Sequence, residues 1–151
     1  MTPSIEFEIK AGYPEVRVAG VDEVGRGCLA GPVVAAALIL PPDLEQAGFI
    51  AEIRDSKLLS PAKRERLEPL IAAWAGAWAI GQASVEEIDE INILRATHLA
   101  MTRALEKLSQ QGLMVSQALI DGNLVPRGLP MPATPIIKGD TKCLSIAAAS
   151  I

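Results

Sequence analysis

Apolar residues recur along this chain with two periods, and the changes between them mark out the elements. From Ile5 to Ile9 apolar and acidic residues alternate, which predicts a half-exposed strand. Val16 to Asp22 predicts a second strand. Val33 to Leu40 is apolar without interruption, the pattern of a strand buried on both faces, and Pro41-Pro42 ends it. Ser60-Pro61 combines an N-cap residue with proline at the first helical position, so a helix should run from there to about Trp74. Ala77 to Ala83 fits a further strand. Ser84 and Glu87 have the spacing of a capping box. Beyond them Ile91, Leu94, His98, Met101, Leu105 and Leu108 recur every three or four residues, predicting a long amphipathic helix with Gly112 just past its end. Val115 to Ile120 leads as a strand into Asp121. Residues 122–135 carry four prolines and read as an irregular loop. Ile136-Ile137 forms a short strand into Lys138-Gly139-Asp140, after which Asp140 or Thr141 should cap a helix through Ile146 and the alanines. Strands interleaved with helices imply an α/β fold with a mixed sheet flanked by helices.

Composition narrows the function classes. The 151 residues, half of them hydrophobic and only 3% aromatic, fit one domain with a substantial core. The core is therefore aliphatic, and the aromatic platforms of single-strand binders are nearly absent. Cys28 and Cys143 make no disulfide framework and read as free packed thiols of a reducing, cytoplasmic setting. No secretory signal pattern opens the chain, and the longest apolar run is too short to span a bilayer as a helix, so no membrane partner is expected. A net charge of −4 runs against nucleic-acid binding. With 18 acids and 14 bases, however, setting aside four candidate ligands balances the remainder.

Those four are Asp22, Glu23, Asp121 and Asp140, at or just beyond the ends of apolar runs and close to glycines. Acids converging at strand ends, with no histidine among them, form an all-oxygen cage suited to Mg²⁺ or Mn²⁺. Two such ions, held together, catalyse phosphodiester hydrolysis. Taken singly, each acid also fits a plainer role as a solvated strand end, a turn residue or an N-cap. Asp22 and Glu23 are neighbours, so their side chains serve one site only if the strand breaks after them, or if Glu23 contributes its carbonyl. Gly25-Arg26-Gly27 lets backbone amides approach a phosphate or a sugar hydroxyl, with Arg26 as a phosphate fork, or it is a plain tight turn. Lys57 beside Ser56 suits a phosphate contact, and Asn92 at a helix start is polar surface or a nucleic-acid backbone contact. His98 is the only histidine and lies on the apolar stripe, so a half-buried packed role is expected and a serine or cysteine triad is excluded. Zinc is disfavoured for want of ligands.

Five ordered blocks tie these residues together. Val18-Ala-Gly-Val-Asp-Glu-Val-Gly-Arg-Gly-Cys-Leu-Ala-Gly-Pro-Val33 resembles the opening of the bacterial ribonuclease HII family. Asp55-Ser-Lys-Leu-Leu-Ser60, Glu87-Ile-Asp-Glu-Ile-Asn-Ile93, Leu119-Ile-Asp-Gly-Asn123 and Ile137-Lys-Gly-Asp140 follow in that family's order, and Ser145 to Ile151 matches its next helix. The resemblance covers roughly 16–151 and implies a ribonuclease H-like fold. It implies an endonuclease that cleaves the RNA strand of RNA–DNA hybrids and nicks duplex DNA at embedded ribonucleotides, leaving a 3′-hydroxyl and a 5′-phosphate. It matches Asp22, Glu23, Asp121 and Asp140 to the four metal-binding acids. Gly25, Arg26 and Gly27 match the loop that senses the 2′-hydroxyl, and Lys57 and Asn92 fall in blocks near the nucleic-acid backbone.

Residues 1–151 are expected to be one catalytic domain, cut short at Ile151 inside a helical pattern that the family continues. The segment bearing a tyrosine that supports the deoxyribose lies beyond it. The full-length enzyme is expected to be a monomer. Two other readings are a catalytically silent hybrid-binding fragment and a phosphatase acting on small esters. The sister family, ribonuclease HIII, is disfavoured because no N-terminal binding domain precedes Val16.

Overall fold

A computed structural model describes residues 3–24, 31–44, 48–54 and 58–151. A short helix α1 (Glu6–Lys10) precedes strand β1 (Val18–Val24), which pairs antiparallel with β2 (Val33–Ile39). A 3₁₀ turn at Gly48–Glu52 leads to α2 (Pro61–Trp74), then β3 (Ala77–Ala83) and the long α3 (Val85–Gln110). β4 (Gln117–Asp121), β5 (Ala133–Ile136), α4 (Gly139–Lys142) and α5 (Leu144–Ser150) complete the order. The strands form one mixed sheet, β3-β2-β1-β4-β5, in which β1 and β4 run parallel.

Strand alternation divides the core in two. Ala19, Val21, Ala35, Ala37, Ala118 and Ile120 face α3. Val18, Leu38, Leu119 and Ile136 face α5 and α2 on the other side. Side chains of 2.0-residue period thus feed two layers from one set of strands. The helices come very close to the sheet, which is what a core poor in aromatics permits. A Cβ on Gly20 would lie 2.4 Å from Ser145 Oγ and 2.6 Å from Ile146 N in α5. On the opposite face a Cβ on Gly81 would lie 2.2 Å from the Ala100 carbonyl oxygen in α3.

The helix starts follow their sequence signals. Ser60 Oγ accepts from Lys63 N at 3.2 Å. Ser84 Oγ accepts from Glu87 N at 3.1 Å, while Glu87 Oε1 accepts from Ser84 N at 2.9 Å, closing the capping box. Gly112 adopts φ 83° just past α3, as an αL terminator.

Four expectations are corrected. Residues 5–9 form helix α1 in place of a strand, because Glu8 turns inward, fully buried, and accepts from Ser145 N at 2.8 Å. Capping the start of α5 outweighs the alternating pattern. Leu94 does not join the buried stripe of α3 and is 51% exposed. Asn92 has φ 72° and ψ 168°, which breaks the helix and resets its phase. The stripe beyond is Ala96, Ala100, Met101, Ala104, Leu105 and Leu108. The region expected as loop through 135 becomes strand from Ala133, Pro135 included. β5 is an edge strand bonded only to β4 within this sheet, so a missing N–H is tolerated. Finally, neither Asp140 nor Thr141 caps one continuous helix. α4 starts from Lys138 at φ 54°, and Cys143, at φ −112° and ψ 125°, separates it from α5. Ser4 occupies this break, donating to the Lys142 carbonyl and accepting from Leu144 N.

Candidate metal centre

The sheet order reverses between β1 and β4. From β1 the chain proceeds to β2 and β3 on one side, then crosses by α3 to β4 on the other. In α/β sheets the crevice at the carboxyl ends of strands flanking such a reversal is where ligands bind. Asp22 lies next after Val21, which is paired with Ile120, and Asp121 lies next after Ile120. The two acids therefore end adjacent parallel strands, and alternation turns both toward the face of α5.

Asp140 reaches the same place from α4. Gly139 makes this approach possible: a Cβ there would lie 2.6 Å from Ile146 Cδ1 and 3.4 Å from Asp121 Oδ1. Asp140 N donates to Asp121 Oδ1 at 3.3 Å. One carboxylate oxygen from each of Asp22, Asp121 and Asp140 lies within 4.8 Å of the others. Asp22 and Asp140 are 5% and 6% exposed.

Three buried or half-buried acids repel one another. Burial first, then the charge of Asp121 and a hydrogen bond with it, push the Asp22 carboxyl up to about 9. The charge of Asp140 adds to this, and the bond from Glu23 N to Asp22 Oδ1, at 2.7 Å, opposes it. Burial beside two like groups thus favours the protonated form of Asp22, and a hard cation could stand in the proton's place. An all-oxygen donor set of this kind suits Mg²⁺ or Mn²⁺.

Glu23 belongs to the neighbouring register position. β1 stays regular to Val24, so Glu23 turns toward α3, where its Oε1 accepts from Thr97 Oγ1 at 2.9 Å. The structure thus brings together three of the four acids by their carboxylates, and joins Glu23 to them through its main-chain amide. Asn92 sits at the break in α3, where its Oδ1 accepts from Arg95 N at 3.1 Å and so caps the second half of that helix. Gly25, Arg26, Gly27 and Lys57 lie outside the described residues, as does Cys28. His98 is half-buried, and burial lowers its pKa. Cys143 is buried, with its thiol pushed up to about 12, which suits a packed and unreactive sulfur.

Sequence reasoning missed two residues. Thr97 contacts Glu23, yet as one threonine on a helix it carries no pattern. Glu8 falls among the acidic positions of the alternating 5–9 pattern, and nothing local marks it as the buried cap of α5.

Fold and site define an α/β domain with three carboxylates, able to hold a metal ion, gathered at a strand-order reversal. Residues 19–151 match the family model of ribonuclease HII, and the chain belongs to the ribonuclease HII family. It is 56% identical over 135 residues to the ribonuclease HII of Paracoccus denitrificans strain Pd 1222, covering 89% of this chain and 60% of that protein. It is 56% identical over 152 residues to the enzyme of Ruegeria sp. strain TM1040, covering 99% of this chain and 62% of that one. The chain therefore spans about three-fifths of these curated relatives. Among solved structures, the ribonuclease HII of the Archaeoglobus fulgidus PCNA complex superposes with a TM-score of 0.65 at 25% identity, covering 89% of this chain and 69% of that one. The sheet is thus of the ribonuclease H type, as expected.

Proposed function

We propose that this chain is a metal-dependent endonuclease that hydrolyses the RNA strand of RNA–DNA hybrids and incises duplex DNA at embedded ribonucleotides. The observation that carries the proposal is the Asp22, Asp121 and Asp140 cluster at the strand reversal. Family membership supplies the substrate class.

Asp22, Asp121 and Asp140 would hold a divalent cation, Mg²⁺ or Mn²⁺, with Glu23 completing the ligands for a second. When bound, a pair of such ions activates the attacking water and neutralises the leaving 3′-oxygen. The chain's own residues do the rest. The Glu23 amide fixes one oxygen of Asp22, and the Asp140 amide fixes one of Asp121, so the acids are oriented before substrate arrives. The amides of Gly25 to Gly27 would read the ribose 2′-hydroxyl, the feature that separates RNA from DNA, while Arg26 pairs with a phosphate. Lys57 and Asn92 would contact the nucleic-acid backbone. No histidine pair is needed, because the 2′-hydroxyl is recognised and not used as the nucleophile. A cytoplasmic monomer is the setting proposed for the full-length enzyme. Among the described residues no helix is long and apolar enough to cross a membrane.

The test is a labelled DNA duplex carrying one ribonucleotide, incubated with Mg²⁺, Mn²⁺ or EDTA beside an all-DNA duplex. Incision at the 5′ side of the ribonucleotide, only with metal and only in the first duplex, is expected. A folded, metal-binding protein that cuts neither duplex would overturn the enzymatic reading in favour of a silent hybrid-binding one. Turnover of a small chromogenic phosphate ester with the duplex left intact would point to a phosphatase.

A further inference from the structure

We infer that Thr97 is the positioning residue of Glu23, holding the one candidate acid whose side chain starts on the wrong face of the sheet. The inference rests on the metal-dependent reading above.

In a regular strand Asp22 and Glu23 diverge, and β1 is regular there, paired to β2 through Asp22, Glu23 and Val24. The Glu23 carboxylate is held on the α3 side of the strand by the Thr97 hydroxyl. Thr97 occupies that place because of the break at Asn92. The break resets the helix so that Ala96 is fully buried against the sheet, in the cluster that contains Val21 and Ala35. Its neighbour Thr97, half-buried, then stands beside Glu23.

The hydroxyl oxygen lies 2.9 Å from Glu23 Oε1 and 2.9 Å from the Ile93 carbonyl oxygen four residues back. A hydroxyl has one hydrogen to donate. Helical threonines commonly give it to the carbonyl at i−4. A carboxylate accepts more strongly than a neutral carbonyl, so Glu23 takes it. The Ile93 carbonyl remains as a second acceptor, so the hydroxyl is never left unpaired when the carboxylate adjusts to a bound ion. Thr97 thus acts on the cation through Glu23 and touches neither ion nor substrate.

The test uses the chain with Thr97→Val, which keeps shape and loses the donor, and Thr97→Ser, which keeps the donor. Mn²⁺ affinity is measured by calorimetry, beside the thermal midpoint of each protein. Thr97→Val should weaken Mn²⁺ binding about tenfold, the effect of one hydrogen bond to a charged group. Thr97→Ser should restore it to within about twofold of the parent. In a Glu23→Gln background Thr97→Val should cause no further loss, since the two residues act as one unit. Thr97→Val binding Mn²⁺ like the parent, while Glu23→Gln binds it more weakly, overturns the inference alone. Asp22→Asn and Glu23→Gln both binding Mn²⁺ like the parent overturns the metal reading, and this inference with it.

Discussion

Asp22 is a carboxyl group kept where water scarcely reaches it, beside two others of the same charge, and this sets a dependence on pH. Its folded pKa, about 9, stands above the ordinary 3.8. Folding therefore takes up a proton between those values. The stability that Asp22 contributes is full below about pH 4 and is lost as pH rises toward about 9. A divalent cation displaces the proton and reverses the loss, so metal affinity should rise with pH over the same window. Asp22→Asn removes both effects. With EDTA at pH 8 the variant should melt above the parent, with the gap closing at pH 5. Mn²⁺ should raise the midpoint of the parent only. Thermal melts of both proteins under these three conditions decide it, and a variant that responds to Mn²⁺ as the parent does would remove Asp22 from the ligand set. At this scale the sequence was legible where residue type alone dictates chemistry, as with the three aspartates at or near element ends, close to glycines. It was silent where a contact spans the fold, as with Thr97 and Glu23, or Glu8 and Ser145.

The elements owe their boundaries to caps, and the caps were readable. Ser60, Ser84 and Gly112 each mark an end in both sequence and structure. The internal break of α3 was legible only in part: Asn92 reads as a helix start, and it does cap the second half of α3, yet the period from Ile91 to Leu108 suggests one unbroken helix. Its φ of 72° with ψ of 168° is a region that favours glycine. Asn92→Gly relieves that strain and loses only a few tenths of a kcal/mol as a cap, so it should be neutral or stabilising by up to about 1–2 kcal/mol. Asn92→Ala keeps the strain and loses the bond to Arg95 N, and should cost about 1 kcal/mol. Urea unfolding of the pair gives the ordering, and alanine proving the more stable of the two would contradict the strain argument. If Asn92 also contacts nucleic acid, Asn92→Gly separates the roles by weakening substrate binding in a protein that folds as well as before.

For the molecule as a whole, the decisive feature is how closely both helical layers approach one sheet. Gly20→Ala would drive a methyl group into the backbone of α5, 2.5 Å from the Ser145 carbonyl carbon. Overpacking of this kind typically costs about 1–3 kcal/mol. Gly20 stands two positions before Asp22, so a shifted α5 also disturbs the acids. Gly20→Ala should therefore lower the urea midpoint and weaken Mn²⁺ binding together, whereas a variant that loses stability with unchanged affinity would show that α5 yields without moving the site. The mixed sheet with its flanking helices followed from the alternation of strand and helix patterns. The reversal of strand order that locates the site did not, since pairing of β1 with β4 is fixed by which faces bury together and not by any local signal.

That pairing also sets when the cluster can form. Asp22 precedes Asp121 and Asp140 in the chain, with two strands and the α3 crossover between them. No local collapse can gather them, and parallel pairing across so long a crossover closes slowly. During synthesis Asp22 emerges long before its partners do. A cation specific to the gathered acids would meet its site only once this closure is made. Bound there, it should leave the refolding rate unaltered and slow unfolding, so that the lifetime of the native state, more than the speed of reaching it, is expected to follow the metal concentration.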